Sequence, residues 1–244
     1  MSNSNINKAM VFAAGMGTRL KPFTDLHPKA LFPIKGKTLL ARNIEYLKQY
    51  GVEDVLINVH HFAEQIIEHV KKHNSWGINI SFSNEKDLLL DTGGGLLNAA
   101  SYFDNTENFI LYNADILTNM PMDKMIAYHE EHQPMVTLAV SERESSRYFL
   151  FNEEDRLCGW ENRSTGEKKI KANSTIYHPR AFSGIHIVNK QLLNTRKEVS
   201  VFSITDWYLD ICAENTILGY NAKDSKFIDV GKVANVAEAE LLFG

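Results

Sequence analysis

The chain has 244 residues, 44% hydrophobic and 23% charged, the balance of a soluble globular protein able to bury one sizeable core. Its net charge of -4 excludes the basic excess of a duplex-wide nucleic-acid surface but leaves room for a local cluster that binds a small anion. Cys158 and Cys212 lie far apart without metal-ligand spacing, the N-terminus is polar, and no apolar run reaches the length of a membrane span. Reduced thiols in a cytoplasmic protein with no membrane partner are therefore expected.

Along the first half, apolar runs alternate with helical periodicity. "KAMVFAA" from Lys8 is a buried strand. "TLLARNIEYLKQYG" places Leu40, Ile44 and Leu47 on one helical face before Gly51. "EDVLINV" is a strand, "HFAEQIIEHVKKH" a helix with Phe62, Ile66, Ile67 and Val70 on one side, and "INISFS" a third strand. "GGGLLNAASYF" opens a further helix, and "FILYNAD" is a fourth strand. Strands joined by helical crossovers imply a mostly parallel sheet with helices on both faces.

After about Pro134 the rhythm changes. "MVTLAVS", "YFLFN" and "RLCGW" read as strands without helices between them, a β-rich extension followed by a polar hairpin and loop from Glu161 to His178. "FSGIHIV" is a strand, "SITDWYLDICAEN" an amphipathic helix, "KFIDVG" a closing strand and "VANVAEAELLF" a terminal helix. One α/β domain is the simplest reading, with residues 8–133 as one half and 134–244 as the other.

The stretch from Val11 to Thr38, "VFAAGMGTRLKPFTDLHPKALFPIKGKT", combines a strand end, glycines, basic residues and prolines. Gly15-Met16-Gly17 is not a dinucleotide fingerprint: Leu20 stands where a third small residue is needed, and Lys21-Pro22 interrupts the helix that should begin there. Gly36-Lys37-Thr38 is not a Walker motif, because Leu31 occupies the first glycine position; a turn with Thr38 near a helix N-cap fits better. What survives is a phosphate cage. Gly15 and Gly17 let backbone N–H groups approach an anion, Arg19 adds a charged fork and Lys29 a point charge, while the prolines stiffen the loop.

"AAGMGTRLKPFTDLHPKAL" resembles the signature loop of the sugar-1-phosphate nucleotidyltransferases, also called nucleotide-sugar pyrophosphorylases. "LDTGGGLLNA", "LYNAD", "FSGIHIV" and "FIDVG" follow in the family's order, so the resemblance covers almost the whole chain. Within the family, the short N-acetylmuramate-1-phosphate uridylyltransferases are most similar, with mannose- or heptose-1-phosphate guanylyltransferases close behind. The resemblance implies a Rossmann-like three-layer α/β sandwich, with a mostly parallel mixed sheet and a small β-rich extension on the sugar side. Residues 8–133 would form the nucleotide-binding half and 134–244 the sugar-binding half. The family's larger members carry a C-terminal left-handed β-helix, which this sequence lacks up to Gly244.

It also implies partners, cofactor and roles. A nucleoside triphosphate and a sugar 1-phosphate would react with Mg2+, held by Asp115 and Asp229 at strand ends, where open α/β sheets place ligands. Arg19 would hold the β- and γ-phosphates and Lys29 the α-phosphate or the incoming sugar phosphate. Ala14, Gly15, Gly17, Thr18, Asn84, Thr92, Gly93, Gly94 and Asn113 would line the nucleotide, with Gly93 and Gly94 admitting base and ribose to the main chain. Gly184 would line the sugar pocket, and Asp206 would face it or serve the helix N-terminus. The Glu-Lys-Pro motif with which many relatives hold the sugar phosphate is missing; the nearest string, "GEKKIK" with Lys168 and Lys169, reads as an exposed loop.

Other features point elsewhere. His60-His61 is a strand end, "HEEH" at His129–His132 is one position short of a zincin motif, and Trp207 and Tyr208 read as core. Two competing functions are a phosphocholine acceptor on the same scaffold and a catalytically silent nucleotide-sugar sensor. The second requires lost metal ligands or a lost arginine.

Overall fold

The computed structural model describes residues 6–86 and 88–243. β1 (Lys8–Phe12) runs into the glycine loop, then a short hairpin, β2 (Pro33–Ile34) and β3 (Lys37–Thr38), and α1 (Leu39–Gln49). β4 (Asp54–Val59), α2 (Ala63–Lys72), β5 (Asn79–Asn84), α3 (Asp91–Asn98) and β6 (Asn108–Asn113) continue the alternation. β7 (Ile116–Thr118), α4 (Met122–His132), β8 (Val136–Ser141), β9 (Arg147–Phe151), β10 (Leu157–Asn162) and β11 (Glu167–Ile170) follow. The chain closes with β12 (His178–Asn189), α5 (Ile204–Ile211), β13 (Ile217–Asn221), β14 (Phe227–Asp229) and α6 (Val236–Phe243).

The central sheet has the order β5-β4-β1-β6-β12-β8-β13. Only β12 runs against its neighbours, so the sheet is mixed and mostly parallel, as expected. Alternate residues of each strand feed two cores. Ala9 and Val11 of β1, Val55, Ile57 and Val59 of β4, and Ile110 and Tyr112 of β6 pack with Leu40, Ile44 and Leu47 of α1, Ile66 of α2 and Met125 of α4. On the other face Met10, Leu56, Phe109 and Leu111 meet Leu96 of α3 and Ile204, Trp207 and Tyr208 of α5. Three layers result because the parallel strands carry apolar residues on both faces, and each face needs its own helices.

β12 links the central sheet to the extension. Its first residues, His178–Arg180, pair with β9, and β9, β10 and β11 continue outward as an antiparallel ribbon. Its later residues, Ile185–Asn189, pair with β6. Gly184 lies between the two segments with φ +73°, where the β12–β8 register also shifts. A side chain there would be strained and would meet Asn113 Nδ2 at 2.9 Å, so this glycine permits the bend.

Most expected elements are present. "GKT" does end in a cap: Thr38 Oγ1 accepts from the Ala41 N–H at 3.2 Å at the start of α1. The strand expected over "KAMVFAA" ends at Phe12, which releases Ala13 and Ala14 to the loop. Strand β13 and helix α4, within which "HEEH" falls, are additions to the sequence reading. The "GEKKIK" lysines are on strand β11 instead of in a loop, because Glu167–Ile170 pair with β10. No described helix is long and apolar enough to cross a membrane.

Two histidines are buried in neutral form. His129 Nε2–H donates to Asn108 Oδ1 at 3.2 Å and its Nδ1 accepts from the Thr137 hydroxyl at 2.8 Å. His186 shares a 2.7 Å hydrogen bond with the Tyr208 hydroxyl. Burial pushes His129 down to about 4 and His186 down to about 3. Because the unfolded chain binds the extra protons, stability is full above the unfolded histidine pKa and is lost as pH falls through this window. Denaturant unfolding at pH 7, 6 and 5 should show stability dropping by about 1.4 kcal/mol per pH unit for each of these groups well below pH 6.5. His129→Gln should make that slope shallower by one group.

Candidate active site

The loop after β1 is built to leave backbone exposed. A side chain at Gly15 would meet nothing within 4 Å, so this corner is open. Gly17 has φ +61° and packs against Lys29 Cβ and Thr24 Cγ2, where a Cβ would approach to 2.8 and 2.9 Å. Its carbonyl accepts from Leu20 N and from Thr24 Oγ1, both at 2.9 Å, closing the turn that carries Thr18 and Arg19. Ala13 and Ala14 are buried at the loop's base, whereas Gly15, Thr18 and Arg19 are exposed.

Four charged side chains meet beside this loop. Asp115 follows β6, and Asp229 ends β14, which pairs antiparallel with β7 so that Asp229 is opposite Ile116. The Val230 N–H donates to the Asp115 carbonyl at 2.8 Å, fixing the two aspartates as neighbours. Lys29 Nζ donates to Asp115 Oδ2. A Cβ on Gly231 would stand 2.5 Å from Asp229 Oδ1, 2.8 Å from Arg19 Nη2 and 3.1 Å from Lys29 Nζ, so these groups surround one small space that only glycine leaves free. Burial, and then the Asp115 charge, raise the Asp229 pKa; Lys29 and Arg19 oppose them. Asp229 Oδ1 is buried with no hydrogen-bond partner. A buried carboxylate oxygen without a donor is costly. Facing a cradle shared with a second carboxylate, it fits a hard divalent cation that takes few protein ligands and completes its shell from phosphate and water. Among the described residues no group of three or more His, Cys, Asp or Glu side chains that could hold a metal is found.

Two cavities open on either side of the loop between β8 and β9, and both touch Ser145 and Arg147. The first, about 610 Å³, has aromatic walls from Tyr148, Phe149, Trp160 and Phe182, with Thr92, Asn113 and Asp206 at its polar edge. Lys169 reaches into it across the Trp160 ring at 5.4 Å and pairs with Asp206 at 3.4 Å. The second, about 650 Å³, contains Asp229 and the cations Arg19, Arg143, Arg147 and Lys232. Arg143 donates to the Phe182 carbonyl at 2.8 Å. Arg147 is exposed, and among the described residues its side chain makes no hydrogen bond or ion pair.

Arg19, Lys29, Asp115 and Asp229 thus come together, and Thr92, Asn113 and Asp206 share the first cavity. Asn84 is exposed at the end of β5. Gly93 and Gly94 have a different environment from the expected opening to base and ribose. Both are buried, both donate their N–H to the Phe202 carbonyl, at 3.0 and 3.3 Å, and their missing side chains make room for Phe202 and the Ser200 carbonyl. Gly184 is also buried, shaping the wall through Asn113. Arg143, Arg147, Trp160 and the buried pair Asn58 and Glu85 had no sequence signal: each depends on a neighbour distant in the chain.

With this geometry, similarity to known proteins becomes informative. Residues 8–242 match the family model described as Nucleotidyl transferase. The chain is 26% identical over 237 residues to N-acetylmuramate alpha-1-phosphate uridylyltransferase of Neisseria meningitidis, covering 97% of this chain and 98% of that protein. It is 33% identical over 143 residues to mannose-1-phosphate guanylyltransferase catalytic subunit beta of Danio rerio, covering 58% of this chain but only 40% of that longer protein. The crystal structure of HddC from Yersinia pseudotuberculosis superposes with a TM-score of 0.79 at 22% identity, over 98% of this chain and 100% of that one, which is a likeness of fold. With the match running from the first strand to the last helix, and the glycine loop and both strand-end aspartates inside it, the chain belongs to the nucleotidyl transferase family.

Proposed function

We propose that this protein transfers a nucleoside monophosphate from a nucleoside triphosphate to a sugar 1-phosphate. The convergence of Arg19, Lys29, Asp115 and Asp229 around Gly231 carries this reading. An acceptor phosphate oxygen attacks the α-phosphorus, a new P–O bond forms, the bond to the β-phosphate oxygen breaks, and pyrophosphate leaves. Two polyanions must be aligned, so the protein's work is positioning and charge neutralisation.

Backbone N–H groups from Ala14 to Thr18 cradle the triphosphate. Arg19 takes the charge of the departing pyrophosphate. Lys29, which pairs with Asp115, is assigned to the α-phosphate or the incoming sugar phosphate. Asp115 and Asp229 would hold Mg2+, which when bound supplies positive charge to the phosphate oxygens. Asn84, Thr92 and Asn113 are assigned to the nucleotide, Thr92 and Asn113 at the polar edge that the first cavity shares with Asp206, with Gly93 and Gly94 shaping the turn behind Thr92; Gly184 and Asp206 are assigned to the sugar pocket. With no Glu-Lys-Pro lysine, the acceptor phosphate is assigned to Arg147, which lines both cavities, and to Arg143, which lines the second.

Uridylyl transfer to N-acetylmuramate 1-phosphate is the finer reading, supported by the near full-length similarity to the Neisseria protein. The similarity to a mannose-1-phosphate guanylyltransferase keeps GTP with a mannose or heptose 1-phosphate as the alternative. A silent sensor is disfavoured because all four charged groups are present and assembled. A matrix of four nucleoside triphosphates against several sugar 1-phosphates and phosphocholine, read by pyrophosphate release, tests this. Turnover with UTP and N-acetylmuramate 1-phosphate is expected. GTP active with UTP inert would remove the uridylyl reading and leave the class, whereas no release with any acceptor would remove the class.

Arg19→Ala and Asp115→Ala should each lower turnover by about three orders of magnitude or more with the melting temperature retained, as for loss of a group acting on transition-state charge. Near-normal activity in either variant would refute the assignment. Arg147→Ala should raise the KM of the acceptor about tenfold and leave that of the nucleotide nearly unchanged, since it removes one charge-assisted contact to the acceptor alone.

A further inference from the structure

Behind the glycine loop lies a polar pair that touches no cavity described above. Asn58 is near the end of β4 and Glu85 immediately follows β5; they are 3% and 4% exposed. Asn58 Oδ1 accepts from the Ala13 N–H at 2.7 Å, the first amide beyond β1. Its Nδ2 donates to Glu85 Oε1 at 2.8 Å, and the other carboxyl oxygen accepts from the Leu90 N–H at 2.9 Å. The Glu85 backbone is itself held, with its N–H donating to Val59 O and its carbonyl accepting from His60 Nδ1, both at 2.8 Å. Gly95 leaves the space: a Cβ there would come within 2.6 Å of Glu85 Oε1 and 3.1 Å of Asn58 Nδ2.

We propose that Glu85 is a positioning residue that, through Asn58, sets the separation of the two walls of the nucleotide site. One wall is the loop starting at Ala13; the other is the turn from Leu90 to Thr92. This rests on the reading of that loop as the nucleotide seat. The chain of bonds is directional. The Ala13 amide requires the oxygen of Asn58, so the Asn58 amide nitrogen must face position 85, and Leu90 presents a second donor there. Only a group that accepts on both sides satisfies both, which is why a carboxyl group is buried at this point. A neutral amide at 85 would leave one donor facing another, and the walls would relax apart.

The directionality gives a swap test. Glu85→Gln places an NH2 against a donor, and Asn58→Asp places a second carboxyl against the first. Combined, they restore every bond and reverse only the one between 58 and 85: the new amide at 85 donates to the new carboxyl at 58 and still accepts from Leu90, while Ala13 keeps its acceptor. Calorimetric titration with UTP and with GTP, without acceptor, reads the site directly, and melting temperature reads the fold. Each single variant should weaken binding of the nucleotide that the wild type prefers by about tenfold, the scale of one unsatisfied buried donor. The acceptor KM should change far less, and the double variant should bind within about threefold of wild type. Wild-type affinity in a folded single variant, or a double variant no better than the singles, overturns the proposal. Should a single variant lose its melting transition, the double decides alone: it must bind as the wild type does. A wild type that binds neither nucleotide would instead overturn the reading of the loop, and this proposal with it.

Discussion

Two carboxylates and two cations crowd one small space beside the first loop, and the strands and turns around it are arranged to keep them there. Burial, and then repulsion from Asp115, raise the pKa of Asp229, and compensating charge nearby opposes them. Lys29 and Arg19 supply it from a loop anchored at the opposite end of the sequence. The β7–β14 pairing joins the two aspartates, the parallel β1–β6 pairing brings the glycine loop alongside, and Gly231 leaves the gap that they share.

Around that centre, buried polar groups and close backbone contacts do the positioning. Ala13 is tied to Asn58, Asn58 to Glu85 and Glu85 to Leu90, so the loop and the turn leading to Thr92 form one hydrogen-bonded unit. Gly93 and Gly94 let the segment before α5 lie against α3, and the Thr92 hydroxyl accepts from Ile204 N at 3.0 Å. The first turn of α5, with Asp206, is thereby brought to the cavity that Asn113 lines from the other side. Aromatic walls on one side and a cluster of arginines on the other then divide the space into a part suited to a sugar ring and a part suited to phosphate.

How legible this was depended on how local the signal was. Helices α1, α2 and α5 and the first four parallel strands follow from periodicity. The "GKT" turn ends in a Thr38 cap because the pattern is set within four residues. The β11 strand was harder to read because "GEKKIK" is polar on both faces, and only its pairing with β10 makes it a strand. Lys169 therefore looked like a loop lysine, although it reaches over Trp160 to Asp206. Glu85 carried no signal at all, since nothing local distinguishes a buried carboxyl from a solvated one.

Local spacing of glycines, prolines and charges was enough to mark the loop after β1 as one that exposes backbone beside two cations, and resemblance to a family singled out Asp115 and Asp229. Pairing Lys29 with Asp115, bringing Arg147 to the wall that both cavities share, and setting Gly93 and Gly94 under the crossing segment at Phe202 all required the folded chain. The physical reason is that each of these depends on strand pairings between distant segments, above all the bend of β12 at Gly184 and the β7–β14 ladder. Periodicity specifies which face of an element is buried, but not which other element buries it.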